Sequence, residues 1–79
     1  MALDQLQITA RNRPRVMAEI TSLLAHRRVE VIAASFTRSA SGCLHANLTL
    51  DIGDARQREL LQRRLSRLID VLDVSVAQF

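Results

Sequence analysis

"LQITARNRPRVMAEITSLLAHRR", residues 6–28, changes its hydrophobic period part-way along, and that change decides the fold. Leu6, Ile8 and Ala10 alternate with Gln7 and Thr9, so Leu3 to Ala10 reads as a half-buried strand. Beyond Asn12 the spacing lengthens, and Val16, Ile20, Leu23, Leu24 and Arg27 recur every three or four positions. That is the stripe of an amphipathic helix ending near Arg28. Pro14 suits the first helical position, where the missing N–H has no intrahelical acceptor, and Asn12 lies close enough to help cap it. The first unit is therefore a strand that turns through a short basic loop into a helix.

Working outward, Val29 to Thr37 is apolar and β-branched on both faces, and Ser39-Ala40-Ser41-Gly42 is a turn. From Cys43 to Asp51 the chain alternates again: Leu44, Ala46, Leu48 and Leu50 face one way, Cys43, His45, Asn47 and Thr49 the other. These two runs form a hairpin with one buried and one polar face. Gly53 punctuates the next joint, and Asp54 with Gln57 resembles a capping box. The helix that follows turns Leu60, Leu61, Leu65, Leu68 and Ile69 inward. Val71 to Ala77 closes the chain as a strand with Leu72, Val74 and Val76 on one side. The order βαββαβ predicts an α+β, ferredoxin-like fold: a four-stranded antiparallel sheet with two helices on one face. No repeat or linker divides it, so residues 1–79 are expected to form a single domain.

Composition narrows the function classes. At 79 residues with 48% apolar side chains the chain can bury a core, yet only Phe36 and Phe79 are aromatic, so aliphatic packing must dominate. All 11 basic residues are arginine; against 8 acids they give a net charge of +3, without any long block of one sign. With neither lysine nor tyrosine to titrate below arginine, the high isoelectric point is no nucleic-acid signature. One cysteine, no apolar run long enough to span a bilayer and no signal-peptide pattern point to a cytoplasmic chain.

Chemistry-bearing constellations are sparse. Cys43 and His45 share the open face of a strand, but two candidate ligands fall short of the three or four that zinc takes, so neither a metal site nor a nucleophile is expected. His26 is placed to meet the C-terminus of its own helix. Two glycines make no phosphate loop. An RNA-reading sheet of this topology needs aromatic rings on its central strands, where this chain has Gln5, Gln7, Thr9, Asn47 and Thr49. Neither catalysis, nucleic acid nor membrane is expected, which leaves Arg11, Arg13 and Arg15 unexplained. They crowd a helix N-terminus whose partial positive charge disfavours cations.

The stretch "ITARNRPRVMAEITSLLAHRRVEVIAASF" resembles the start of an ACT domain. It is most similar to the small subunit of acetohydroxyacid synthase (acetolactate synthase), with its strand, N-x-P-G-V-[ML], a helix ending in R-R or R-G, and an N-[IV]-x-S-[IL] strand. The closing "LSRLIDVLDVSV" is similar to that family's K-L-x-D-V-x-x-V ending. In length the chain is similar to the short, isozyme II type of small subunit, which lacks a domain after the ACT domain. The resemblance implies a non-catalytic, regulatory and activating chain without cofactors of its own. Its partner would be the large catalytic subunit of acetolactate synthase, which uses thiamine diphosphate, Mg2+ and FAD in branched-chain amino-acid biosynthesis. A free-standing ACT sensor of amino acids is the other reading, and a ferredoxin-like nucleic-acid-binding module ranks behind it.

The resemblance also implies where the sites lie. The effector region is Asn12, Arg13, Arg15, Val16 and Glu30, for a branched-chain amino acid such as valine. Family members that valine inhibits have glycine where Arg15 stands and asparagine where Glu30 stands, so an Arg15–Glu30 ion pair is expected to replace the ligand and leave valine sensitivity weak. The strand carrying Val31, Ala33, Ser35 and Phe36 is the expected homodimer edge. Arg56, Glu59, Arg63 and Arg67 are the expected docking face for the catalytic subunit.

Overall fold

The computed structural model describes residues 3–27 and 29–78. Its elements are β1 (Asp4–Arg11), α1 (Val16–His26), β2 (Glu30–Arg38), β3 (Cys43–Asp51), α2 (Ala55–Ser66) and β4 (Val71–Gln78), the expected order. All pairings are antiparallel and the sheet order is β2-β3-β1-β4. The fold is the ferredoxin-like one. Arg28, at the expected end of the first helix, lies outside the described residues, and α1 stops at His26.

The alternating residues do what their period demands. Leu6, Ile8 and Ala10 of β1 and Leu44, Ala46, Leu48 and Leu50 of β3 are buried beneath Val16, Ile20 and Leu24 of α1 and Leu61 and Leu65 of α2. The hairpin turn closes through Ser39 N–H to Cys43 O at 2.9 Å and Gly42 N–H to Ser39 O at 3.2 Å. Gly42, at φ +84°, takes the left-handed conformation such a turn requires. Asp54 caps α2 by accepting from Gln57 N–H at 2.7 Å, the half of the capping box that its side chain supplies.

Three expectations about apolar side chains are overturned. Ile69 does not face inward but is 86% exposed. The helix ends at Ser66, and Arg67 N–H to Arg64 O and Leu68 N–H to Leu65 O tighten the chain, so the 3.6-residue phase is lost before Ile69. Leu60 stands on the rim of α2, whose buried stripe is only Leu61 and Leu65. Leu72 does not share the side of Val74 and Val76. A bulge opposite Thr9/Ala10 pairs Asp73 with Thr9 and Val71 with Ala10, which buries Val71 and turns Leu72 out.

One polar contact crosses the core boundary. Asp4, 8% exposed on the central strand β1, accepts from Arg58 Nη1 of α2 at 2.7 Å.

Candidate functional site

The loop between β1 and α1 is pinned on both sides. Arg11 N–H donates to Asp70 O at 2.7 Å, across to the α2–β4 turn, and Asn12 N–H donates to Gly42 O at 3.1 Å, across to the hairpin turn. Arg13-Pro14-Arg15-Val16 then forms a turn closed by Val16 N–H to Arg13 O at 3.2 Å, with Pro14 in the second position, where its fixed φ is suited. Consequently α1 begins at Val16, not at Pro14. Arg15 is the N-cap, and among the described residues no side chain, Asn12 included, accepts from the first turn. The backbone ties on Asn12 hold it against the sheet, too early in the chain to cap.

At this helix start the Val16 N–H is taken by Arg13 O, and no described side chain caps the N–H groups that follow it, those of Met17 and Ala18. The arginines around it divide. Arg13 Nε lies 3.8 Å from the Asp70 carboxylate and is partly neutralised by it. Arg15 is exposed, at φ −95° and ψ −11°, an unstrained helical conformation. Val16 is 1% exposed and belongs to the core. Asp70 was not singled out in the sequence; the motif that could have marked it is the Leu-x-Asp-Val run at residues 68–71.

Glu30 is not part of this cluster within one chain. It pairs opposite Asp51, whose neighbour Leu50 pairs with Asp4, whereas the β1–α1 loop leaves from the Arg11↔Cys43 end. Seven positions at about 3.3 Å each separate the two ends, roughly 23 Å. The expected Arg15–Glu30 ion pair is therefore not formed inside the chain: α1 runs the length of the sheet before β2 begins.

Strand β2 is an edge, paired only with β3. Val31, Ala33 and Ser35 are exposed and Phe36 is half-buried. On the helix side Val31, Ala34 and Phe36 line an apolar groove of about 260 Å³ with Leu24 and Ala25 of α1. Such an uncovered apolar edge offers a row of backbone groups to another strand.

On the opposite helix, Arg56, Glu59, Arg63 and Arg67 are all exposed, with Arg63 Nη2 3.4 Å from Glu59 Oε1. Arg56, Glu59, Leu60 and Arg63 surround a shallow recess. His26 donates from Nδ1 to the Ser22 carbonyl at 2.8 Å, within its own helix. His45 stands 3.5 Å from Thr9 Oγ1 on the open face, and no three metal-ligating side chains gather among the described residues. No helix among them is long and apolar enough to cross a membrane.

A model of the ACT domain matches residues 4–75. The chain belongs to the ACT-domain family. ACT domains are regulatory, non-catalytic, amino-acid-binding modules. No curated protein matches the chain. Among solved structures, the ACT domain from the GTP pyrophosphokinase of Chlorobium tepidum is similar with a TM-score of 0.86 and 14% identity, over 98% of this chain and 100% of that one. The acetolactate synthase small subunit from Thermotoga maritima is similar with a TM-score of 0.85 and 19% identity, over 96% of this ACT domain and 47% of that chain. A homoserine dehydrogenase from Thiobacillus denitrificans is similar with a TM-score of 0.78 and 19% identity, over 98% of this chain but 17% of that enzyme. At these identities the likenesses concern the fold, and the chain spans less than half of the two larger proteins.

Proposed function

We propose that this ACT domain is the regulatory, activating small subunit of acetolactate synthase, weakly sensitive to valine. The observation that carries the reading is the pinned β1–α1 loop with its Asn12-x-Pro14-x-Val16-Met17 pattern, opening on an uncapped helix start, combined with an uncovered β2 edge. Thiamine diphosphate, Mg2+ and FAD belong to the catalytic partner, and a cytoplasmic setting goes with that role. Co-expression with a thiamine-dependent synthase encoded beside this gene tests it. Synthase activity rises when the chain is added; an unchanged rate dismisses the role.

In this reading the second half of the effector site comes from a second copy. Two copies joined edge to edge about a two-fold axis perpendicular to the sheet pair their β2 strands antiparallel. Glu30 of the second copy then comes to the Arg38 end of β2, the end that holds the β1–α1 loop, so Arg15 and Glu30 meet between copies. Sedimentation at micromolar concentration is expected to give a dimer, and Ile32→Lys, a change at a side chain 49% exposed, to give a monomer. A wild-type monomer removes this arrangement.

Arg56, Arg63 and Arg67, with Glu59, form the charged docking face in this reading. Reversing all three arginines to glutamate weakens association with the synthase on the order of tenfold, most strongly at low salt, with the melting temperature retained. Unchanged affinity dismisses the face.

A second reading is favoured by one observation: the likeness to the ACT domain of a GTP pyrophosphokinase is as high as that to the small subunit. In it the chain senses an amino acid for another enzyme. Amino-acid binding without any effect on the synthase supports it.

A further inference from the structure

The sheet ends in two edge strands, β2 and β4, and they are not alike. Two backbone bonds beyond β1 fix which of their groups stand free. Arg11 N–H donates to Asp70 O on the β4 side, and Asn12 N–H donates to Gly42 O on the β3 side. Successive residues of a strand turn their N–H and C=O groups to opposite sides, so Thr9, Gln7 and Gln5 bond toward β4 and Ile8 and Leu6 toward β3. Val74 and Val76 stand opposite Ile8 and Leu6, and their N–H and C=O groups therefore point away from β1, out of the sheet. The same alternation carried across β3 turns Ala34 and Phe36 of β2 outward at the other edge.

Open in this way, β4 is an adhesive edge. It reads Val71-Leu72-Asp73-Val74-Ser75-Val76, with Leu72 50% exposed and Ile69, just before the strand, 86% exposed. The bulge at Leu72 blunts only its beginning. Further along, α2 intervenes: Gln62, half-buried, donates from Nε2 to the Val74 carbonyl at 3.3 Å. The acceptor that an added strand needs is thus already engaged, by a side chain that stands in that strand's path. No described side chain of α1 makes the equivalent bond to β2, since those of Thr21 and His26 return to their own helix. The difference matters for assembly. A chain that pairs with its own copies at both edges presents a fresh edge with every copy added, and the sheet never closes.

We propose that Gln62 is an edge guard: by holding the Val74 carbonyl it bars β4 from pairing with a second copy's β4 and confines self-association to β2. Assembly then ends at two copies. The guard goes beyond the regulatory reading above and is the same whichever enzyme the domain serves.

Sedimentation of the full chain tests it. Gln62→Met keeps the length and helix preference of the side chain and removes its donor. Its mass is expected to exceed that of the wild type, on the order of a doubling or more, and to climb with concentration, while cooperative thermal unfolding is kept. Ser75→Glu, at an exposed position on the open face, is expected to cancel the growth. Pairing of Val74 with Val76 of the copy sets the new carboxylate against its own counterpart, and pairing of Val74 with Val74 sets it against Asp73 of the copy, so like charges meet in both registers. With Ile32→Lys closing β2, Gln62→Met is expected to stop at two copies, because one edge alone is left. A wild-type monomer removes the β2 dimer and spares the guard, provided that Gln62→Met then forms a dimer. Two results overturn the proposal: Gln62→Met with the mass of the wild type at every concentration, or growth that Ser75→Glu leaves unchanged. No synthase enters these measurements, so the subunit assignment stands or falls separately.

Discussion

Arg58→Met lowers the unfolding free energy by about 2–4 kcal/mol, because it leaves the Asp4 carboxylate, only 8% exposed, without its guanidinium on the central strand. Small domains carry about 0.05–0.15 kcal/mol of stability per residue, so for this chain the loss is a large share of the total. Asp4→Ala costs less, about 1–3 kcal/mol, since the Arg58 side chain is 25% exposed and its charge can turn toward water. The double replacement tests whether the two act as a pair. With both charges gone the Asp4 carboxylate is no longer left buried without its guanidinium, so Asp4→Ala with Arg58→Met costs less than the sum of the single changes, by about 1 kcal/mol or more. Urea unfolding of the four proteins measures the cycle. Additive losses assign the cost to packing and not to the ion pair.

That pair also marks how far the sequence could be read. The positions joined are 54 apart, and nothing local in "LDQLQ" or "DARQRELL" says that an aspartate on a strand will meet an arginine on the second helix. What was legible was periodic and local. Leu44, Ala46, Leu48 and Leu50 declare a strand and its buried face because a pleated chain has period two, and Asp54 declares a helix start because its carboxylate reaches a backbone N–H three residues on. The errors arise where a period is interrupted without any residue that signals it. A one-residue bulge exchanges Val71 for Leu72 in the core, and the tightened end of α2 turns Ile69 outward, although both leucine and isoleucine fit the extrapolated stripe.

The candidate site was legible as a set of residues and not as a place. Asn12, Arg13 and Arg15 do fall on one loop, held by backbone bonds to Asp70 and Gly42. Glu30 follows α1 closely in sequence, yet lies at the far end of the sheet. A helix of 11 residues carries the chain back along the strand it follows, so sequence proximity to a helix end is distance from the helix start. Only a second copy, with its strand reversed, returns Glu30 to the loop. In the proposed dimer the effector site would be shared between copies, which couples two expectations: a chain that cannot pair through β2 cannot place Glu30 beside Arg15.

A synthase reconstituted with the wild-type chain is activated but keeps most of its activity in hundreds of micromolar valine, and Arg15→Gly combined with Glu30→Asn lowers the inhibitory concentration on the order of a hundredfold. The start of α1 can take a carboxylate at the N–H groups after Val16, which no described side chain caps. What stands in the way is occupancy and charge. Arg15 sits at an ordinary φ of −95°, so glycine would add space there without relieving any strain, and removing the guanidinium opens the approach to the backbone donors. Glu30 of the second copy repels the carboxylate of valine whenever Arg15 is absent to neutralise it, so Arg15→Gly alone restores little inhibition. Asparagine at position 30 keeps a hydrogen-bonding group without the charge, and for this reason the double change and not the single one builds the site. Valine titration of the three complexes decides the matter. Inhibition of the wild-type complex at micromolar valine means that Arg13 or Arg15 grips the carboxylate directly, and full inhibition by the Arg15→Gly complex means that Glu30 plays no part. Ile32→Lys in the double variant abolishes the gain if the site is shared between copies, and leaves it intact if one chain holds the ligand alone.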